Sequence, residues 1–243
     1  MASRDPTQSA DGSPYQTAIP IPSPIFSMKR VHPILVLGVA SLAGISGCAH
    51  TGRRIVTLPI DLQAIPIQWG VGGNCTGVFA IEDHQWTAIE RTMRQGGPSP
   101  DAEREAIAAS IAMIEQIAGR QTPTHTDRRR GHNRPGDPGQ LDCVDESSNT
   151  TRYLDLLAQR GLIVHHDVLD PVWRTKVLIF NPHRSALVRD RVTGERFVID
   201  SWVWDNGMPP AVQPYSVWSR YIEPAPPERS EIPRAPDSIS GGA

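Results

Sequence analysis

The apolar residues of this chain change their spacing once, from a helical period to a strand-like one. Ile107, Ile111, Ile114 and Ile117 fall on one helical stripe. Ser99 is placed to cap that helix, Pro100 suits its first position and Gly119 is the expected stop. A second helix runs from Asp142 through Tyr153, Leu154 and Leu157 to Gly161. Asp142 is its expected cap, and Asp145 three residues on gives a capping-box-like arrangement. A shorter helix over His84 to Arg94 carries Trp86, Ile89 and Met93 at helical spacing. After Gly161 the texture turns to strand: Leu162 to Val168, Val177 to Phe180, Arg184 to Val188 and Arg196 to Asp200, with Thr193-Gly194 as a hairpin turn. Helices followed by strands, each in a run, predict an α+β domain with helices packed on a mainly antiparallel sheet.

Composition then trims the ends. The chain has 243 residues, of which 23 are Pro and 20 Gly, and only 39% are hydrophobic. Residues 1–27 hold Pro6, Pro14, Pro20, Pro22 and Pro24 among small polar residues. They are expected to be disordered, or to lie upstream of the true start at Met28. Residues 28–47 read as a signal peptide: Lys29 and Arg30, then an apolar run of about 14 residues, shorter than the roughly 20 of a spanning helix. Ile45-Ser46-Gly47-Cys48 resembles the lipobox of bacterial lipoproteins. That resemblance implies acylation of Cys48, attachment to a lipid bilayer and a domain facing the periplasm. Ala49, where Asp is absent, favours outer-membrane sorting by the same resemblance. The plainer alternative is a buried apolar helix with a chance cysteine. Residues 48–70 are read as anchor and extended linker, since Pro59 and Pro66 cut the strand-like pieces there or confine them to a sheet edge. The domain proper is placed at 71–222, and 223–243 is read as a disordered Pro-rich tail. A net charge of −2 excludes a generic nucleic-acid binder held by a basic field, and three cysteines are too few for a disulfide scaffold.

Cys143 opens the second helix, where unpaired N–H groups and the helix dipole favour a thiolate. Asp142, Asp145 and Glu146 work against it, so activation needs an imidazole nearby. His183, after Asn181-Pro182, is the candidate. Asp200 ends the next strand across one hairpin and is placed to orient the His183 ring, although the sequence does not set the register. A Cys opening a helix, then a His on a strand, then an Asp on the adjacent strand resembles the transglutaminase-like (papain-like) cysteine proteinase superfamily. Asp142-Cys143-Val144-Asp145, and His183-Arg184-Ser185-Ala186-Leu187-Val188 with Gly194 and Phe197-Val198-Ile199-Asp200, are similar to that superfamily's bacterial segments, over roughly residues 138–205. The resemblance implies a transglutaminase-like core and catalysis by Cys143, His183 and Asp200. It shows no aromatic oxyanion residue just before the cysteine. Gln140 is the nearest amide donor, with the backbone N–H of Cys143 as the other.

Two classes of function stay open. One is a thiol hydrolase or acyltransferase acting on peptide, isopeptide or side-chain amide bonds of a peptide or protein substrate. The other is a non-catalytic binding or scaffold lipoprotein in which Cys75 and Cys143 form a structural disulfide, worth about 2–4 kcal/mol. Cys143 as an inert buried thiol, His183 as a strand-end residue and Asp200 as a turn opener are the corresponding structural readings. His165 and His166 alternate across a strand with no third ligand at sensible spacing, so neither metal nor other cofactor is expected. Arg128-Arg129-Arg130 reads as a solvated surface run, and Trp202 with Trp204 as core or as a groove wall. Nothing in the sequence sets the oligomeric state.

Overall fold

The structure, a computed structural model, describes residues 58–131, 138–176, 180–228 and 232–239. The N-terminal extension, the signal-peptide segment and Cys48 lie outside the described residues. Among the described residues no helix is long and apolar enough to cross a membrane.

Two strands come first, β1 (Ile65–Trp69) and β2 (Cys75–Phe79), paired antiparallel. Pro66 is accommodated in this two-stranded ladder, so the segment expected to be linker is a strand. Helix α1 (Asp83–Gln95) opens with a capping box formed by Glu82 and Gln85. In α2 (Pro100–Gln121), Ser99 Oγ accepts from the N–H of Ala102, as expected. This helix continues past Gly119, which packs tightly against His125 and Asn206, and stops at Thr122. A 3-10 turn (Pro123–Thr126) and a loop lead to α3 (Cys143–Gln159). Asp142 caps α3 through the N–H groups of Val144 and Asp145, and Gly161, at φ +70°, ends it.

The main sheet is a meander, β3 (His166–Lys176), β4 (Phe180–Asp190), β5 (Arg196–Asp200) and β6 (Ala211–Pro214), every neighbour antiparallel. The strand expected from Leu162 begins only at His166. Asp190 Oδ1 accepts from the N–H groups of Val192 and Thr193, and Gly194 has φ +73°, which closes the β4–β5 hairpin where Thr193-Gly194 was expected to. Alternation gives the sheet two faces. Val168, Ala186, Val188, Phe197 and Ile199 pack into the large core with the Ile stripe of α2 and with Leu154 and Leu157 of α3. Each fully buried Ile or Leu contributes about 2 kcal/mol of transfer free energy. The other face carries Leu169, Leu187 and Val198 against Trp218, which belongs to the single helical turn α4 (Tyr215–Trp218). The molecule is thus α+β, with helices on an antiparallel sheet.

The Pro-rich end, expected to be a disordered tail, includes a segment that lies along α1 and α2. Gln116 donates to the Pro233 carbonyl and accepts from the Ala235 N–H; Gln85 and Arg120 both donate to the Pro236 carbonyl. Ala235 joins the core. Prolines remove donors but leave carbonyls, and here glutamine and arginine side chains on the helices supply the missing hydrogens.

Candidate active site

His183 sits on β4 on the face that carries Leu187, and Asp200 ends β5 on the face that carries Val198. The register Leu187↔Val198 makes these one face. Cross-strand diagonal neighbours on one face are within reach of a long side chain. His183 Nε2 lies 2.6 Å from Asp200 Oδ2, and both side chains are buried. The bond assigns Nε2 to the carboxylate. Nδ1 is left buried with no hydrogen-bond partner. The ring is walled by Trp202 at 4.6 Å and Trp218 at 5.6 Å between centroids. Trp218 also donates from Nε1 to Asp200 Oδ2 at 2.9 Å, leaving Asp200 Oδ1 buried and unpartnered.

The third member arrives from the helix. Pairing of β4 with β5 stops at Ala186↔Ile199. Beyond that point the backbone N–H of Arg184, the residue after His183, faces the thiol of Cys143. Among the described residues no hydrogen bond joins the thiol directly to the His183 ring. The N-terminal half of α3 is tied to the residue after β5 and to β4: Thr150 Oγ1 meets Ser201 Oγ at 2.9 Å, and the Arg184 guanidinium donates to Ser148 Oγ and more weakly to the Val144 carbonyl. Half-buried, Cys143 has its thiol pushed up chiefly by desolvation, and the charges of Asp142 and Asp200 push the same way; the Arg184 N–H opposes them. The helix N-terminus alone therefore does not deliver a thiolate.

Gln140 does not point its amide at this site. Its Nε2 donates to the Thr126 carbonyl and its Oε1 accepts from the Arg128 N–H, so the expected oxyanion donor is a brace for the loop before α3. The backbone N–H of Cys143 is not among those that Asp142 caps. Asp145, whose carboxylate feels the Asp142 N–H only weakly, turns mainly away from its own helix. Its carboxylate accepts from Gln68 Nε2 and from the N–H groups of Val71 and Gly73. The β1–β2 loop wraps it with four consecutive residues, Gly70 to Gly73, at positive φ. Val71 is β-branched at φ +68°, a strained geometry held in place by that carboxylate. Cys75, at the start of β2, and Cys143, at the start of α3, are both free thiols, so the structure does not form the disulfide that the alternative reading requires.

Behind the first turn of α3 lies a cluster that the sequence reading missed. Glu115 of α2, Asp127 and Glu146 of α3 are all buried. Burial pushes Glu115 and Asp127 each up to about 7. Glu146 rises well above the usual carboxylate range through burial and then through its two neighbours' charges, and it donates to Asp127. Asp127 also accepts from the Leu141 N–H and Glu115 from the Gly207 N–H, which fixes the loops on either side of the site. Spacings of twelve and nineteen residues give no local motif for such a cluster.

His166 is engaged elsewhere, between Glu103 and Arg104, and His165 reaches the Gly97 carbonyl. Among the described residues no group of three or more His, Cys, Asp or Glu is arranged to hold a metal ion. Arg128, Arg129 and Arg130 are exposed as expected, and the first and last pair with Asp205 and Glu223. Trp202 and Trp204 part company: the first stacks on His183, the second joins Val203 and Ala211. A groove of about 540 Å³ runs beside the site, past Gln68, Ser148, Arg152, Pro171 and Arg184. A larger cavity of about 930 Å³, between α2 and β6, is lined by none of the three candidate catalytic residues. Comparison with known protein families, curated proteins and solved structures finds no match.

Proposed function

We propose that this chain is an envelope lipoprotein whose domain is a transglutaminase-like (papain-like) thiol hydrolase or acyltransferase acting on peptide, isopeptide or side-chain amide bonds. Cys48, acylated, is the membrane attachment, with the domain facing the periplasm, in the outer membrane. Cys143 Sγ attacks the carbonyl carbon. His183 Nδ1 takes the thiol proton and returns it to the departing nitrogen, and Asp200 holds the ring and balances its charge. Water or an amine then resolves the thioester. The backbone N–H of Cys143, at the first turn of α3, is the oxyanion donor.

One observation carries this reading: the buried bond between His183 Nε2 and Asp200 leaves Nδ1 without a partner, at the strand end that faces Cys143. A buried ring nitrogen with no bond costs about 1–3 kcal/mol, and it is retained where it has chemistry to do.

The test is alkylation of the full chain with iodoacetamide across pH, read by peptide mapping. Exposed Cys75 is the internal standard. Cys143 should react faster than Cys75 at about pH 6, where free thiols are almost wholly protonated. Equal or slower reaction, with any amidase or acyl-transfer activity surviving Cys143→Ala, would remove the catalytic reading. A quantitative Cys75–Cys143 bridge in non-reducing maps would establish the scaffold alternative instead.

A further inference from the structure

We infer that Trp218 is a positioning residue of this site: its indole N–H fixes which oxygen of Asp200 faces His183. The inference rests on the roles given above to Cys143, His183 and Asp200. Oδ2 of Asp200 receives two donors from different elements, His183 Nε2 of β4 at 2.6 Å and Trp218 Nε1 of α4 at 2.9 Å, while Oδ1 has no hydrogen-bond partner. The two oxygens of a carboxylate are chemically equivalent. Without the second donor the group is free to turn about its Cβ–Cγ bond and swing Oδ1 toward the ring, taking the imidazole with it. With both donors on one oxygen, turning breaks two charge-assisted bonds at once.

Trp218 is itself held firmly enough to act as a reference. It is 1% exposed, and its carbonyl accepts from Arg174. The Arg174 guanidinium lies 4.4 Å over the Trp218 ring and 4.4 Å over the Tyr221 ring. Arg174 is also the register partner of His183 across β3 and β4. The strand beside the histidine thus grips the tryptophan that orients the histidine's partner. This closes a ring of contacts from β4 through Asp200 and α4 back to β3. An apolar plug needs none of this, because a phenyl ring in the same space excludes water equally well.

The experiment uses full-length protein with ¹⁵N-labelled tryptophan and, separately, iodoacetamide alkylation of Cys143 across pH. The chain has six Trp, so the Trp218 indole resonance is assigned by its loss in Trp218→Phe. The expected result is an indole resonance that shifts with pH in step with the His183 ring and stops doing so in His183→Gln. Trp218→Phe should slow alkylation of Cys143 by about tenfold, the scale of one hydrogen bond to a charged group. It should also move the acidic limb of the profile by about 0.5 pH unit or more. Trp204→Phe, at another buried tryptophan outside the site, should do neither. An alkylation profile for Trp218→Phe that keeps its rate and midpoint overturns the inference. If Trp218→Phe does not fold, the resonance is assigned by elimination through Phe variants of the other five Trp, its response to His183→Gln decides alone, and a pH-independent resonance overturns the inference. Should wild-type Cys143 prove no more reactive than a free thiol, the catalytic reading fails, while an indole resonance that still follows His183 sustains the positioning role.

Discussion

Asp200 meets two donors with one oxygen, and that asymmetry sets what each substitution in the site should do. Asp200→Asn keeps the shape but offers one carbonyl oxygen and one amide in place of two equivalent oxygens. If the amide faces Nε2, the imidazole must invert its tautomer and Nδ1 no longer receives a proton. Alkylation of Cys143 should fall by about a hundredfold or more. His183→Ala gives a sharper sign. Desolvation, Asp142 and Asp200 all push the Cys143 thiol up, so without the imidazole Cys143 should react more slowly than exposed Cys75 at neutral pH. A thiol in that variant as reactive as Cys75 would mean that burial is not restraining it. The order of Cys143, His183 and Asp200 was legible because helix starts and hairpins are local features. Gln140 was misjudged because closeness in sequence says nothing of where an amide points, and its amide is bonded to a turn twelve to fourteen residues upstream. Trp218 was invisible because its partner lies eighteen residues back on another element.

Among the elements, the caps were the most readable part of the chain. Ser99, Asp142 and Gly161 act where their chemistry says they must, since a cap is decided by its own few neighbours. Asp145 shows where that logic stops. A capping-box position looks the same in sequence whether the carboxylate turns back to its own helix or outward to a loop 72–77 residues upstream. The outward choice makes it the anchor of the β1–β2 loop. Asp145→Ala should orphan one amide and two backbone N–H groups, and cost about 2–3 kcal/mol in urea unfolding. Asp142→Ala, which removes only a cap, should cost about 1 kcal/mol. Equal costs for the two would place Asp145 on the helix rather than on the loop. β1 was taken for linker because Pro66 normally argues against a strand, and its partner β2 begins only after the glycine loop.

For the whole molecule, the clustered carboxyls Glu115, Asp127 and Glu146 set the response to pH. Their folded-state values lie above their ordinary ones, so the folded chain holds protons that the unfolded chain gives up. For Glu115 and Asp127 the stability they supply is complete below about pH 4 and is lost as pH rises to about 7, at up to about 1.4 kcal/mol per pH unit for each group, and Glu146 acts in the same direction. Tyr153, Asp200 and Asp205 are the neighbouring groups in range of this charge. Thermal melts should therefore show Tm falling from pH 5 to pH 7.5, and Glu115→Gln should flatten that slope by about one proton's share. An unchanged slope would assign the effect to other groups. The α+β class was legible in the single change of apolar period, whereas this cluster and the packed C-terminal segment depend on side chains far apart in the chain. That segment also fixes an order of events. The Ile239 N–H reaches Glu82 across 157 positions, joining the last described residue to the N-cap of α1. The surface of α1 and α2 can be sealed only after this segment, about 115–155 residues further along the chain, has been made, so during synthesis these early helices wait uncovered for it to arrive.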